Sequence, residues 1–260
     1  MIPKIIHLCW LSGDPYPPKI QACIDSWKEH LPDYEIMLWD TSRFDVNSTT
    51  WTRQAFEAKK YAFVADYIRL YAVYNYGGIY LDSDVEVIKP LDDLLSLPYF
   101  AGIEAGPDGI EMGAFGAEKG TGWLKCMMDY YENRSFIMEN GNMDMAAMPS
   151  VMGKLIRKKY YWTLIKTPEE FEMDPARICL FPVDWFCAHP LYDDKDNKKY
   201  YVTDNTRTIH HFANSWLEKE FHGGPLHTLL HFYFKISGKD WRLRNERFRL
   251  YGTHKNKRRT

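Results

Sequence analysis

The chain has 260 residues, of which 45% are hydrophobic and 26% are charged, and this is the composition of an ordinary globular protein. A net charge of -2 at pH 7 excludes a dedicated nucleic-acid binder, which needs a strongly basic surface. Five cysteines without C-x-x-C spacing predict free thiols in a reducing, cytoplasmic compartment. We expect no membrane anchor, because no stretch approaches the roughly 18 apolar residues that span a bilayer.

The chain alternates between patterns typical of strands and of helices. Apolar runs predict strands at residues 5–10, 34–39, 79–81, 85–88, 98–103, 178–183 and 208–212. Apolar stripes predict helices at residues 20–30, 53–76 and 121–132. The long middle helix is expected to end at Gly77-Gly78, and residues 133–174 show no clear period. This alternation predicts an α/β fold.

Two carboxylates, Asp82 and Asp84, flank Ser83 directly after the apolar run 79–81. Residues two apart in a strand point the same way, so both side chains can converge on one point at the carboxyl edge of a sheet. Their oxygens suit Mg²⁺ or Mn²⁺, ions that typically bridge to substrate phosphates. Aspartates are also common in solvated turns, so the spacing alone leaves both interpretations open.

Asp66 and Arg69 lie three residues apart on the predicted long helix and therefore share one face. Arg69 can meet a phosphate or a ribose if that face is turned toward the end of the sheet. The alternative is an exposed ion pair, which is worth less than about 0.5 kcal/mol.

A second polar and aromatic cluster follows the last predicted strand, and it consists of His210, His211, Ser215 and Trp216. A neutral imidazole is a good third metal ligand, and Ser215 and Trp216 can contact a departing phosphate. Trp10, after the first strand, offers an aromatic plane for a nucleobase. Ordinary core positions for the histidines and tryptophans remain open.

Together these segments resemble glycosyltransferase family 32, the group of Och1-like and bacterial capsule-type sugar transferases. The resemblance is carried by three segments in order: Ile2-Pro3-Lys4-Ile5-Ile6-His7 with Trp10; Ala65-Asp66-Tyr67-Ile68-Arg69-Leu70-Tyr71 with Gly77-Gly78-Ile79-Tyr80-Leu81-Asp82-Ser83-Asp84-Val85; and His210-His211-Phe212 with Ser215-Trp216. The resemblance implies a GT-A fold, a Rossmann-like α/β domain with a mixed central sheet flanked by helices. We expect this single domain over residues 1–220, followed by a helical, basic extension at 221–260.

The resemblance also implies roles for individual residues. Asp84 would bind the metal, Mn²⁺ or Mg²⁺, and Asp82 would contact ribose, metal or sugar. Asp66 and Arg69 would hold the donor sugar and its diphosphate, with Trp10 against the base. His211 is the preferred histidine ligand and His210 the fallback. Ser215 and Trp216 would close over the diphosphate.

The implied reaction is transfer of a hexose from a UDP- or GDP-sugar to a glycan or lipid-linked acceptor, as in capsular polysaccharide biosynthesis, with retention at the anomeric carbon. Available carboxylates are Glu104, Asp108, Glu111 and Asp144, and nothing in their spacing selects a nucleophile. A front-face displacement is equally compatible.

Two other functions compete with transfer. A non-catalytic sugar-nucleotide-binding protein would keep the same motifs. A D-x-D phosphatase of the haloacid-dehalogenase type would place Thr or Val where this chain has Glu86.

The C-terminal residues 242–259 carry eight Arg or Lys residues against the single acidic residue Glu246. They predict either a peripheral contact with anionic lipid at the inner face of the membrane or a solvated terminal helix.

Overall fold

A computed structural model describes residues 1–104, 109–188 and 202–213, and Met1–Ala213 forms one compact unit. The strands are β1 (Ile5–Cys9), β2 (Glu35–Trp39), β3 (Gly78–Leu81), β4 (Val85–Val87), β5 (Tyr99–Phe100), β6 (Ala114–Ala117), β7 (Tyr161–Leu164), β8 (Arg177–Leu180) and β9 (Thr208–His210). The helices are α1 (Pro18–His30), α2 (Thr50–Glu57), α3 (Tyr61–Tyr76), α4 (Gly122–Glu132), α5 (Met148–Arg157) and α6 (Val183–Phe186). The predicted extension at 221–260 lies outside the described residues, so the predicted boundary at 220 stays a prediction.

A five-stranded mixed sheet forms the centre of the molecule, in the order β2-β1-β3-β6-β5. Strands β2, β1 and β3 are parallel, whereas β6 runs antiparallel to both β3 and β5. This arrangement confirms the predicted α/β class with a mixed central sheet. Because β1, β2 and β3 are parallel, the residues that follow them meet at one edge of the sheet.

Helix α1 fixes the strand that follows the acidic motif. Pro18 occupies the first turn, where its missing N–H costs nothing, and the buried face of the helix includes Trp27. The Trp27 indole donates to the carbonyl of Val85 at 2.7 Å, and Ser26 Oγ accepts from the amide of Val87 at 3.0 Å. Strand β4 is thereby held against α1.

The single helix predicted over residues 53–76 is wrong, because two helices, α2 and α3, occupy this stretch. The chain breaks at Lys59, whose φ of 57° lies in the left-handed region. Both helices bury an apolar face, so the apolar stripe continues across the break. Periodicity therefore could not reveal where one helix ends and the next begins.

The turn from α3 into β3 depends on glycine and on a buried histidine. Gly78 has a φ of 106°, and a Cβ there would lie 2.7 Å from the carbonyl oxygen of Ile5. His7 Nε2 donates to the carbonyl of Gly77 at 2.7 Å, and its Nδ1 accepts from the Trp39 indole at 3.1 Å. Burial lowers the pKa of His7 to about 4, so the ring is neutral. These contacts fix the point at which β3 starts, and therefore the position of the acidic motif that follows β3.

In the described part of the chain, no helix combines the length and the apolarity that crossing a bilayer requires.

Candidate active site

The acidic motif forms a tight turn between β3 and β4. The amide of Val85 donates to the carbonyl of Asp82 at 2.9 Å, which closes the turn. Both carboxylates are largely buried, with Asp82 22% and Asp84 15% exposed. The turn, rather than a continuous strand, brings the two side chains to the same region.

Arg69 links helix α3 to this turn. Its guanidinium lies between two carboxylates, with Nη2 3.2 Å from Asp66 Oδ1 and Nη1 3.1 Å from Asp82 Oδ2. Nη1 also donates to the carbonyl of Met112 at 2.8 Å, and the guanidinium lies over the Tyr80 ring, 4.8 Å from its centroid. The Tyr80 hydroxyl donates to the other oxygen of Asp82 at 2.8 Å. Asp82 is therefore fixed through both of its oxygens.

The charges on this side of the site are unequal. Burial raises the pKa of Asp66 to about 7, while Arg69 lowers it and Asp82 raises it further. One guanidinium can balance one of the two carboxylates, and the second is left in a buried environment that disfavours its charge. Asp66 consequently titrates near neutral pH.

His210 reaches the turn from β9, where it lies opposite Val85 of β4. Its Nε2 is 3.5 Å from Asp84 Oδ1 and its Nδ1 is 3.2 Å from Glu111 Oε1. Burial opposes a charge on this ring, but Glu111 and Asp84 outweigh it and hold the pKa of His210 well above its ordinary value. Burial likewise opposes ionisation of Asp84, but hydrogen bonds from His210 and the Ala213 amide bring the pKa of Asp84 down to about 2.

The donor set fits a divalent cation. Asp82, Asp84 and His210 each offer one ligand atom, and these three atoms lie within 4.8 Å of one another. Ligand atoms on opposite sides of Mg²⁺ are about 4 Å apart, so these three atoms need to move only slightly closer together to contact one ion. The carboxylate oxygens suit both Mg²⁺ and Mn²⁺, and the imidazole nitrogen favours Mn²⁺ of the two. Binding would displace the proton of His210 Nε2, because a ligand imidazole must be neutral at the bound nitrogen.

The two adjacent histidines point in different directions. The preferred ligand, His211, lies with Nε2 2.8 Å from Glu86 Oε2, whereas the fallback, His210, reaches Asp84. β9 ends at His210, and it is the ring of this last strand residue that faces the turn. The geometry favours His210, and the ligand role itself stays a prediction. Ser215 and Trp216 lie outside the described residues.

Glu111 and Gly113, which spacing did not select, form the floor of the site. The Gly113 amide donates to Glu111 Oε1 at 2.6 Å, and its carbonyl accepts from the amide of Asp82 at 2.7 Å. Glu111 is only 1% exposed. No signal in the sequence distinguishes it, because β6, which begins directly after Gly113, has no clear strand pattern.

The other carboxylates considered as nucleophiles are engaged differently. Asp144 accepts from Arg134 Nε at 2.8 Å. Burial and the neighbouring Glu111 raise the pKa of Glu104 to about 8. Asp108 lies outside the described residues.

A groove of about 550 Å³ opens beyond the ends of β1 and β2. Trp10 and Tyr16 line it together with Asp40, Phe56 and Tyr61. The Trp10 indole donates to the carbonyl of Asp14 at 2.7 Å, and its ring meets the Tyr16 ring edge-on with centroids 4.9 Å apart. A rigid aromatic wall thus stands at the same edge of the sheet as Asp82.

Residues 17–101 match the family model described as "Glycosyltransferase sugar-binding region containing DXD motif". This third of the chain is similar to the sugar-binding region of the DXD glycosyltransferases. The family resemblance expected from the sequence is thereby confirmed. This sugar-binding region contains Asp66, Arg69, Asp82 and Asp84, whereas Glu111 and His210 come from later segments.

Curated relatives match over part of their length. Inositol phosphoceramide mannosyltransferase 3 of Schizosaccharomyces pombe is 36% identical over 127 residues, which are 47% of this chain and 35% of that protein. Mannosyl phosphorylinositol ceramide synthase SUR1 of Saccharomyces cerevisiae is 35% identical over 107 residues, or 38% of this chain and 27% of that protein. The chain thus spans about a third or less of the length of these relatives. The solved PaToxG glycosyltransferase covers 60% of this chain and 69% of its own, with 16% identity and a TM-score of 0.45.

Proposed function

We propose that this protein is a metal-dependent glycosyltransferase that moves a hexose from a UDP- or GDP-sugar to a glycan or lipid-linked acceptor. The observation that carries the proposal is the convergence of Asp82, Asp84 and His210 within 4.8 Å in a chain that carries the DXD sugar-binding region. Two hard carboxylates with an imidazole, beside a fixed arginine, match the charge of a nucleoside diphosphate bound through a cation.

Asp84 and His210 would hold the ion, and Asp82 would complete the shell or contact the ribose. A bound Mn²⁺ or Mg²⁺ supplies Lewis-acid stabilisation to the leaving diphosphate. Arg69 keeps Asp82 oriented and adds a preorganised positive charge at the same edge, which needs no rearrangement as the leaving group gains charge.

The aromatic groove would take the nucleoside. Trp10 is half-buried, and its indole N–H is already bonded to the carbonyl of Asp14, so its orientation is fixed before any ligand arrives. A fixed aromatic plane loses little entropy when it packs against a base.

Retention would follow a front-face route, in which the acceptor hydroxyl attacks as the diphosphate leaves and its proton passes to the leaving oxygen. The carboxylates of Asp66, Asp82, Asp84 and Glu111 support this route, because each already has a partner. Asp66 and Asp82 lie against Arg69, and Glu111 accepts from Gly113. Glu104, with a pKa raised to about 8 by burial and Glu111, is a poor nucleophile at neutral pH.

The curated relatives guide the choice of substrates to test. Because their names describe mannose transfer to inositol phosphoceramide, a mannosyl donor and a phosphoinositol acceptor come first in the panel. A cytoplasmic location and lipid contact through the basic residues 242–259 stay proposals, since those residues lie outside the described range.

The test is release of UDP or GDP from a panel of nucleotide sugars in the presence of Mn²⁺. We expect release by the wild type, loss of release on chelation, and loss in Asp84→Ala. Asp25→Asn, which alters an exposed carboxylate on α1, is the matched control and should behave as the wild type. Tight donor binding without release would instead support the non-catalytic binding protein.

A further inference from the structure

Three consecutive residues connect the two sides of the metal-binding cluster. On one side, the carbonyl of Gly113 accepts from the amide of Asp82 at 2.7 Å, and the carbonyl of Met112 accepts from Arg69 at 2.8 Å. On the other side, Glu111 Oε1 lies 3.2 Å from His210 Nδ1. The segment 111–113 therefore touches the acidic turn and the histidine at once.

The carboxylate of Glu111 is built into this position. It is 1% exposed, and its Oε1 receives the Gly113 amide at 2.6 Å as well as the imidazole. A buried carboxylate is costly unless hydrogen bonds compensate it, so the two donors explain how the charge is tolerated. Both contacts come from the protein itself, and both hold Oε1 on the side that faces His210.

The orientation decides which nitrogen of His210 can bind an ion. A neutral imidazole carries one N–H and one lone pair. With Nδ1–H donated to Glu111, the lone pair lies on Nε2, the nitrogen 3.5 Å from Asp84. The opposite tautomer would direct an N–H at the ion and remove the third ligand.

We propose that Glu111 is the positioning residue of the metal site, holding His210 in the Nε2 ligand form through its Nδ1–H. This inference rests on the proposed metal-dependent function and deepens it, because Glu111 acts on the cation only through His210. A carboxylate behind a histidine ligand commonly fixes the ring and its tautomer.

The same residues suggest a rival arrangement. Glu111, Cys187 and His210 also offer ligand atoms within 4.8 Å of one another. An ion there would need the Nδ1 that already faces Glu111, and a thiolate from a side chain that is 1% exposed. Nδ1 already faces Glu111 and the thiol of Cys187 is almost completely buried, so the geometry supports the positioning role over a second ion.

The experiment measures Mn²⁺ affinity by EPR titration with UDP present, and with GDP in a parallel series. Glu111→Ala should weaken Mn²⁺ binding by about 10- to 100-fold, the usual effect of losing such a partner. Glu111→Gln should weaken it less, since the amide oxygen can still accept from Nδ1–H. In a His210→Ala background, Glu111→Ala should change the Mn²⁺ affinity by less than about twofold. If Glu111 acts only through His210, the losses of affinity caused by the two substitutions do not add. Glu86→Gln, which alters the neighbouring carboxylate–histidine pair, is the matched control and should bind as the wild type.

Three results would overturn the inference: wild-type affinity in Glu111→Ala, an equal loss in the His210→Ala background, or two bound Mn²⁺ per chain of which Glu111→Ala removes one. Absence of Mn²⁺ binding in the wild type would also overturn it. If Glu111→Ala fails to fold, as judged by near-UV circular dichroism, Glu111→Gln gives the comparison. The two proposals fail separately. If Mn²⁺ affinity depends on Glu111 through His210 but no UDP or GDP is released from any nucleotide sugar, the transferase is refuted. If UDP or GDP is released but Mn²⁺ affinity does not depend on Glu111 through His210, the positioning role is refuted.

Discussion

Gly113 is the position at which a single methyl group should disable the proposed metal site. An alanine Cβ would lie 2.7 Å from Glu111 Oε1, 2.7 Å from His210 Cε1 and 2.8 Å from Asp82 Oδ2. Ordinary van der Waals contact begins at 3.4 Å, so each group must withdraw by about 0.6 to 0.7 Å. The three contacts converge from different elements, and no single rotation relieves them all.

The size of the effect follows from these displacements. Overpacking of this kind costs about 1–3 kcal/mol of folding stability, which a domain of this size tolerates. Metal affinity is more sensitive to these displacements than folding stability, because an octahedral ion such as Mg²⁺ requires its ligands close to ideal positions. We therefore expect Gly113→Ala to fold but to bind Mn²⁺ at least about tenfold more weakly, as when a supporting partner of a ligand is lost.

Two other glycines provide controls for the assay, which is Mn²⁺ titration by EPR with thermal unfolding in parallel. In Gly116→Ala the Cβ would lie 2.5 Å from Phe100, so the strain falls on the core of the sheet. In Gly122→Ala nothing lies within 4 Å. Gly116→Ala should lower the melting temperature without changing Mn²⁺ affinity, and Gly122→Ala, at the start of α4, should leave Mn²⁺ affinity unchanged without lowering the melting temperature. Wild-type affinity in Gly113→Ala, or an equal loss in Gly116→Ala, would refute the reasoning.

Three further predictions concern other parts of the site. Because the pKa of Asp66 is raised to about 7, the folded chain keeps a proton that the unfolded chain releases above about pH 4. The free energy of unfolding should thus fall by up to about 1.4 kcal/mol per pH unit between pH 5 and 7, relative to that of Asp66→Asn. Urea denaturation at each pH measures it, and the same pH dependence in the wild type and in Asp66→Asn would contradict the prediction. His210→Ala should weaken Mn²⁺ binding at least about tenfold while His211→Ala leaves it unchanged, and the reverse result would restore His211 as the ligand. Trp10→Ala should weaken UDP or GDP binding about 3- to 10-fold in calorimetry, the value of one aromatic contact, and unchanged affinity would remove the groove from the donor site.

One half of the site could be predicted from the sequence because it is local. Asp66 and Arg69 lie on α3, and Asp82 and Asp84 lie in the turn after β3, the short strand that directly follows α3. Helical spacing already puts Asp66 and Arg69 on one face, and Gly77-Gly78 marks the turn. The structure brings these four residues together, with Arg69 between Asp66 and Asp82.

The other half could not be predicted, because it depends on long-range strand pairing. His210 faces Asp84 only through the register in which β9 lies opposite β4, and a shift of one residue would present His211 instead. Strand β6 consists of alanine, phenylalanine and glycine, a composition without strong strand preference, so the position of Glu111 before it carried no signal.

The region 133–174 illustrates a different limit. It contains α5 and β7, and β7 has exposed side chains at both ends, Tyr161 at 53% and Leu164 at 52%. A strand whose apolar residues face solvent does not alternate between apolar and polar positions, so the pattern that predicts strands is absent.

The division into a local and a long-range half also explains why the segment 111–113 matters. Arg69, Asp82 and Tyr80 contact one another within residues 69–82, so the side-chain contacts of this half depend on α3 packing on β3. His210 arrives from 126 residues beyond Asp84, and its side chain contacts Asp84 through Nε2 and Glu111 through Nδ1. The backbone of Gly113 ties that carboxylate to Asp82. A cation could therefore be bound only after the two halves have been joined, which makes metal affinity a direct measure of whether this connection is intact.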